Sequence, residues 1–139
     1  MTVSFFVPGE PVAQGRPRMT TINGHPRMHD APKSAEFKAL VSMIANREMK
    51  CSSPMKTAVA LNITVNKPVP QSWSKKKQRM ALSGEVKPTT KPDIDNYLKS
   101  VLDGCNGILF KDDSQVTYIT ASKVYSTTPG VSVVAFETN

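Results

Sequence analysis

The sequence predicts an α+β fold in which a small mixed β-sheet packs against helices within one domain, residues 1–139. Some segments alternate apolar and polar residues, as half-buried strands do, whereas others repeat apolar residues at the helical spacing. These segments follow one another as strand, helix, strand, two helices and further strands. A length of 139 residues suits a single domain with a core of its own.

The N-terminal part is predicted to contain a strand, a long loop and a helix. Residues 3–7 form a short run of strand-forming residues. Residues 8–33 hold many prolines and glycines with little periodicity, so we expect a basic loop there. Ser34 is expected to cap a helix that ends near Met49, because apolar residues recur at i, i+3, i+4 and i+7 from Phe37.

The middle of the chain is predicted to contain one strand and two helices. Residues 59–65 alternate in the period of a half-buried strand. Ser72 is expected to cap a short helix that ends at Leu82. Pro92 disfavours helix in the residue before it, and apolar residues recur at helical spacing from Ile94 onwards. A third helix should therefore begin directly after this proline.

The C-terminal part is predicted to be mostly strand. Residues 108–110 form a short apolar run that we expect to pair as a strand. Residues 116–125 and 131–136 are rich in strand-forming residues and are separated by a turn. We expect these last two strands to form a hairpin.

The composition favours nucleic acid as a partner. Eighteen Lys and Arg against eleven Asp and Glu give a formal net charge of +7, which suits nucleic acid better than acidic proteins or membranes. Two cysteines are too few for a disulfide framework. Since no apolar run reaches the roughly 18 residues of a membrane span, and no signal-peptide pattern opens the chain, we expect no membrane association and a cytoplasmic location.

A cluster of acidic residues marks the start of the third predicted helix. Asp93 and Asp95 lie at its mouth, Lys99 and Asp103 follow Asp95 at steps of four residues, and Asp113 comes soon afterwards. Carboxylates held close together repel one another unless a cation lies between them. A hard divalent ion such as Mg²⁺ or Mn²⁺ prefers such oxygen ligands. Asp93 and Asp95 could supply two ligands of such an ion at the mouth of the helix, and Asp113, from another segment, could close the site.

The same acids have a simpler explanation. Asp-x-Asp is common at helix starts, where either carboxylate can cap the helix and complement its dipole. The chain would then be a basic DNA-binding protein without catalysis. The full set of acids with Lys99 argues against that alternative, because a protein that only binds DNA has no use for clustered anions facing phosphate.

Several motifs together resemble the RusA-type Holliday junction resolvases, particularly their phage-encoded members. The central ones read KPDIDNYLK, VLDG and DDSQV at residues 91–99, 101–104 and 112–116. The resemblance extends upstream to VPGEPV, GRPR and SWSKKK at residues 7–12, 15–18 and 72–77. It covers most of the chain, in the family's order.

The resemblance implies a RusA-like fold and a small homodimeric, metal-dependent endonuclease that cuts four-way DNA junctions. By position, Asp93, Asp95 and Asp113 match the family's metal-binding acids and Lys99 its functional lysine, with Mg²⁺ as the cofactor and Mn²⁺ as a substitute. Because the segment before the third acid is one residue shorter than in the bacterial prototype, Asp112 is an alternative ligand. A less selective nuclease for other branched DNA is an alternative activity.

Basic side chains in two segments are candidates for DNA contacts, because guanidinium and ammonium groups bind phosphate oxygens. The alternative is a solvated basic surface. Asp103 is expected to be structural. Cutting two opposed strands requires two symmetry-related sites, which a homodimer supplies. The candidate DNA contacts are Arg16, Arg18, Arg27 and Lys33 in the loop and Lys75, Lys76 and Lys77 in the helix before the acidic motif.

Overall fold

A computed structural model describes residues 1–15, 18–29 and 32–138 and confirms the predicted α+β fold. Three helices accompany a four-stranded mixed sheet and a two-stranded hairpin in this part of the chain. The elements, in chain order, are β1 (Thr2–Pro8), β2 (Arg18–Ile22), β3 (His25–His29), α1 (Pro32–Met49), β4 (Ala58–Pro68), α2 (Lys75–Leu82), α3 (Ile94–Cys105), β5 (Val116–Ser126) and β6 (Gly130–Thr138).

The order of strands in the main sheet is β1-β6-β4-β5, so the expected C-terminal hairpin is wrong. β6 lies between β1 and β4 and pairs antiparallel with both, whereas β5 pairs in parallel with β4 at the sheet edge. Val131, Val133 and Ala135 of β6 are fully buried, as a central strand requires, while most of β5 remains exposed. The helices α2 and α3 supply the crossover that parallel pairing of β4 and β5 needs.

The segment 8–33, predicted as a loop, contains the hairpin of β2 and β3. Asn23 and Gly24 join the two strands and have φ angles of +50° and +77°. Positive φ at both central residues is the backbone of a type I′ turn, which Asn-Gly favours. The Asn-Gly pair was therefore the signal for a hairpin in this sequence. We predicted a loop because the segment has little periodicity.

Two predicted helix caps are also wrong. Ser34 lies inside α1, where its buried hydroxyl accepts a hydrogen bond from Gly15 N (3.1 Å) and donates one to Ala13 O (3.2 Å). Ser74, not Ser72, caps α2, and its Oγ accepts from the backbone N–H of Lys77 (3.2 Å). Ser34 makes tertiary hydrogen bonds to the backbone of residues 13 and 15, and residue spacing along one helix cannot predict such contacts.

Residues 108–110 form a turn and not the predicted strand. Phe110 makes single bridges to Met55 and Asn106, and Met55 N donates to Leu109 O (2.8 Å). Leu109 and Phe110 are fully buried, which explains why the run is apolar. These residues are apolar because they pack in the core, and not because they pair in a β-sheet.

The core lies between α1, α3 and one face of the main sheet. Residues such as Val41, Ile63, Val101 and Val133 are almost completely buried there. Cys105 belongs to this core, as expected, and burial raises the pKa of its thiol to about 12. Within the described part of the chain, no helix is long and apolar enough to span a membrane.

The helices α1 and α3 approach most closely at Gly104. A Cβ atom at this position would lie 2.7 Å from both Cβ and Cγ1 of Val41 and 3.0 Å from Lys38 O. Ser42 Oγ also donates a hydrogen bond to Gly104 O (2.6 Å). Glycine is required here because any side chain would force the two helices apart.

We therefore expect Gly104→Ala to destabilise the protein by about 1–3 kcal/mol, the usual cost of overpacking a core. Chemical denaturation followed by circular dichroism measures this change. In an open helix the same substitution stabilises by about 1 kcal/mol, so the sign of the change is diagnostic. An unfolding midpoint that is unchanged or raised would contradict the close packing of α1 on α3.

Candidate active site

The predicted acidic pair lies at the start of α3. Asp93 precedes the helix with an extended backbone, and its carbonyl oxygen accepts from Asn96 N (3.2 Å) and Tyr97 N (3.4 Å). Within the described chain, the Asp93 carboxylate makes no capping hydrogen bond. Asp95 is exposed, and its Oδ1 accepts from the adjacent N–H of Asn96 (3.0 Å). Helix capping therefore does not account for the carboxylate of Asp93.

Asp103 connects α3 to α1. Lys99 Nζ donates to Asp103 Oδ1 (2.8 Å), and Lys38 Nζ lies 3.0 Å from Asp103 Oδ2. Burial raises the pKa of the Asp103 carboxyl, but the hydrogen bonds and charges of Lys99 and Lys38 outweigh burial and hold this pKa below its ordinary value. Both contacts agree with the structural role expected for Asp103.

Lys99 is an exposed cation among carboxylates. Its hydrogen bond to Asp103 and the charge of Asp103 raise its pKa, and the charge of Asp113 adds to the increase. Lys99 is therefore protonated at neutral pH, and 57% of its side chain remains exposed. The contribution of Asp113 also means that the fold brings this carboxylate within electrostatic range of α3.

The two neighbouring acids Asp112 and Asp113 have different surroundings. Asp112 caps the 3₁₀ turn Asp113–Gln115: its Oδ2 accepts from Ser114 N (3.1 Å), and Gln115 Oε1 accepts from Asp112 N (3.1 Å). Hydrogen bonds from Ser114 and Asp113 lower the pKa of Asp112. The Asp112 carboxylate thus accepts a hydrogen bond within the turn, whereas Asp113 is the first residue of the turn and does not cap it.

Gln115 anchors this turn to the sheet. Its Nε2 donates to Met55 O (2.8 Å) and Thr57 O (3.1 Å), just before β4, while its Oε1 accepts from the backbone of the turn. Our sequence interpretation did not single out Gln115. The Asp112-x-x-Gln115 spacing of a capping box was the available signal.

A cleft of about 820 Å³ lies beside the acidic pair. Its walls include Pro92 and Asn96, which flank that pair. They also carry three lysines and two glutamates, so positive charges outnumber negative ones by one: Lys33, Lys67 and Lys91 against Glu10 and Glu36. Phosphate groups entering this cleft would meet ammonium groups close to the start of α3. The cleft therefore offers a route for an anionic ligand to the predicted site.

The N-terminal segment that borders the cleft is pinned to two helices. Gln14 N donates to Asn96 O (3.0 Å) on the first turn of α3, and Ser34 of α1 bonds the backbone of Ala13 and Gly15. The root of the basic segment 8–33 is thereby held next to the acidic pair.

The candidate DNA contacts divide between two regions. Lys33 is exposed at the cleft, whereas Lys75, Lys76 and Lys77 are exposed on α2. Lys77 Nζ lies 4.0 Å from the centre of the Trp73 ring, a cation–π contact. Arg16 and the side chains of Arg18 and Arg27 lie outside the described residues, so their expected contacts stay predictions.

The predicted metal ligands match Mg²⁺ by chemistry, since all three are carboxylates and Asp93 has no competing cap. Among the described residues, however, no three His, Cys, Asp or Glu side chains are grouped so that they could hold a metal ion. The assignment of Asp93, Asp95 and Asp113 as metal ligands therefore stays a prediction based on their residue type and position.

Comparison with known proteins identifies the family. Residues 8–134 match the family model described as endodeoxyribonuclease RusA. The chain belongs to the RusA family. A similar chain of Bacillus subtilis (strain 168), named "Uncharacterized protein YqaN", is 44% identical over 137 residues, which cover 97% of this chain and 96% of that one. RusA membership assigns the chain to the endodeoxyribonucleases and confirms the resemblance read from the motifs.

The ion pairs of Asp103 predict a pH dependence of stability. Because the folded-state pKa lies below the ordinary value of 3.8, the stabilisation is fully present above that value and is lost as the pH falls through the folded-state pKa. We expect Asp103→Asn to lower the free energy of unfolding by about 1 kcal/mol at neutral pH, after allowance for solvent screening. Denaturation of both proteins at neutral and strongly acidic pH measures the difference. A difference that persists unchanged in acid would contradict this electrostatic origin.

Proposed function

We propose that the chain is a metal-dependent endodeoxyribonuclease that resolves four-way DNA junctions by cutting two opposed strands. The observation that carries this proposal is the uncapped carboxylate of Asp93 at the exposed start of α3, in a chain of the RusA family. A carboxylate that does not cap its helix is available for chemistry. Asp95 and Asp113 complete the proposed set.

We propose that Asp93, Asp95 and Asp113 hold Mg²⁺, for which Mn²⁺ can substitute, because both ions prefer carboxylate oxygens. When bound, such an ion activates water and stabilises the charge of the scissile phosphate. Asp113 is favoured over Asp112 as the third ligand, because Asp112 already accepts the hydrogen bond that caps its turn.

Lys99 would act as a fixed positive charge. Its raised pKa keeps the ammonium protonated, so it suits charge stabilisation in the transition state and not proton abstraction. Asp103 accepts one of its hydrogen bonds, which limits the positions that the ammonium can adopt. The remaining donors of Lys99 can reach a phosphate from its exposed side.

DNA would be held by basic side chains of the cleft and of α2. The helix α2 exposes Lys75 and Lys76, and Lys33 lies at the cleft. The proposed contacts also include Lys77, Arg16, Arg18 and Arg27. Such contacts would provide affinity for phosphates without reading base sequence.

A homodimer would supply the two sites that cutting opposed strands requires, and the sheet offers a surface for it. Helices cover one face of the main sheet; the other exposes Phe6 by 37%, Tyr118 by 61% and Phe136 by 38%. By strand alternation and register, the side chains of β1, β4, β5 and β6 on this open face are uncharged throughout the described strands.

Two copies of a chain with a net charge of +7 repel each other least through a surface without charges. Four strands about 4.8 Å apart and roughly nine residues long give a face of about 600 Å². That size is close to the ~800 Å² per partner of a standard interface. We therefore propose that the open face is where the two copies meet.

The first test changes the proposed metal ligands. We expect Asp93→Asn, Asp95→Asn and Asp113→Asn each to reduce cleavage of a labelled four-way junction in Mg²⁺ at least about 100-fold, because each removes a charged ligand. Junction binding measured in Ca²⁺ should persist or tighten, since less negative charge faces the phosphates.

Asp112→Asn is the matched control for Asp113→Asn. Because asparagine caps about as well as aspartate and keeps an oxygen that can accept from Ser114 N, this variant should fold normally and leave the cleavage rate within a few-fold of wild type. Loss of cleavage in Asp112→Asn, with normal cleavage in Asp113→Asn, would reverse the assignment of the third ligand. A wild-type protein that binds junctions tightly but never cuts them would support the non-catalytic alternative.

The second test concerns the dimer. Phe136→Lys would introduce one positive charge from each copy into the proposed interface, so we expect the dissociation constant to rise at least about 100-fold. Sedimentation equilibrium measures it. Met43→Lys is the control, because Met43 is 60% exposed on α1, away from the open face. If only the control weakens the dimer, the interface lies elsewhere.

A further inference from the structure

The segment that leads into α3 is held by two lysines of the sheet. Lys123 Nζ donates to Thr90 O (2.9 Å) and to Pro92 O (3.0 Å). Lys67 Nζ donates to Lys91 O (3.4 Å). Three consecutive carbonyl groups, directly before Asp93, thus accept hydrogen bonds from ammonium groups.

The two lysines project from neighbouring strands. Lys123 of β5 is paired with Val65 of β4, and Lys67 follows Val65 by two residues, so both side chains lie on the same face of the sheet. Burial lowers the pKa of Lys67, and the nearby charge of Lys123 lowers it further. Bringing two ammonium groups together in this way is unfavourable unless acceptors surround them, and the three carbonyl groups are such acceptors.

These bonds are made where the backbone has little other support. Residues 87–93 belong to no helix or strand, and α3 begins only at Ile94. The carbonyl of Pro92 belongs to the peptide unit that joins Pro92 to Asp93. A bond from Lys123 to this carbonyl therefore fixes the point from which the Asp93 side chain projects.

We propose that Lys123 is a positioning residue that holds the Pro92–Asp93 peptide against the sheet and so orients the Asp93 carboxylate for metal binding; this rests on the proposed function. Lys123 is half-buried, and two of its three N–H donors are already bound to backbone carbonyls. Those bonds distinguish it from Lys75 and Lys76 of α2, which are exposed.

The test compares Lys123→Met, Lys123→Arg and the control Lys76→Met. Methionine keeps an unbranched stem but cannot donate, whereas arginine keeps the charge and several donors. Each methionine variant loses one positive charge, so a general effect of charge on DNA binding would appear in both. Mn²⁺ binding without DNA, followed by electron paramagnetic resonance, measures the site separately from cleavage.

We expect Lys123→Met to weaken Mn²⁺ binding and to slow single-turnover junction cleavage, each about 10–100-fold, as does loss of groups that orient metal ligands. Its junction affinity in Ca²⁺ should fall no more than that of Lys76→Met, and Lys123→Arg should recover part of both losses. If Lys123→Met loses only junction affinity, in the same proportion as Lys76→Met, Lys123 is a DNA contact and the proposal is overturned.

A readout without metal or DNA separates this proposal from the proposed function. The amides of Asn96 and Tyr97 donate to Asp93 O, so their hydrogen exchange reports how firmly Asp93 is held. We expect exchange at both to accelerate about tenfold or more in Lys123→Met. Unchanged exchange overturns the positioning role even if the wild type cuts junctions. Should Lys123→Met fail to fold, Lys67→Met decides: it should produce smaller changes in the same direction, and no change at all overturns the proposal.

Discussion

The contact between α1 and α3 at Gly104 is the constraint on which the candidate site depends. Because residue 104 has no side chain, the backbones come close enough for Ser42 Oγ to bond Gly104 O at 2.6 Å. One residue earlier, Asp103 accepts hydrogen bonds from both helices, through Lys38 and Lys99. Packing and charge thus fix the C-terminal half of α3 against the core. Its N-terminal end, which carries the acidic pair, is left at the surface.

The backbone around Asp93 and the backbone around Asp113 are held by different sets of hydrogen bonds. Asp113 lies on a turn that Asp112 caps and Gln115 ties to the strand β4. Asp93 follows a segment without regular structure, whose carbonyls are bonded by Lys67 and Lys123. Neither set of hydrogen bonds involves the carboxylates of Asp93 or Asp113. The backbone around each acid is supported while its side chain stays available.

Charge is distributed unevenly over the surface. Lysines lie around the cleft and on α2, whereas the open face of the sheet carries no charge in the described strands. A surface that binds DNA needs basic side chains, whereas a surface that meets another copy of a basic chain needs to be uncharged. The two proposed contacts therefore lie on chemically distinct parts of one small domain.

Much of the local structure could be predicted. The helical spacing from Ile94 onwards identified α3, and the steps of four residues aligned Asp95, Lys99 and Asp103 along it, because the pitch of a helix depends on its own residues alone. Alternation identified β4, and runs of strand-forming residues identified β1, β5 and β6, because both are properties of a single segment. The motifs around Asp93 and Asp113 were sufficient to recognise the RusA family, which the family comparison confirmed.

The sequence by itself therefore determined the three helices and the four strands of the main sheet, the α+β class, the family and the residue types available for chemistry. Only the tertiary structure decided that β6 enters between β1 and β4, that Ser34 bonds the segment at residues 13–15, and that Lys123 reaches the carbonyl groups before Asp93. Each of these is a contact between residues distant in the chain. Their formation depends on which apolar surfaces pack together and which polar groups then need partners. Periodicity along one segment carries no information about that choice.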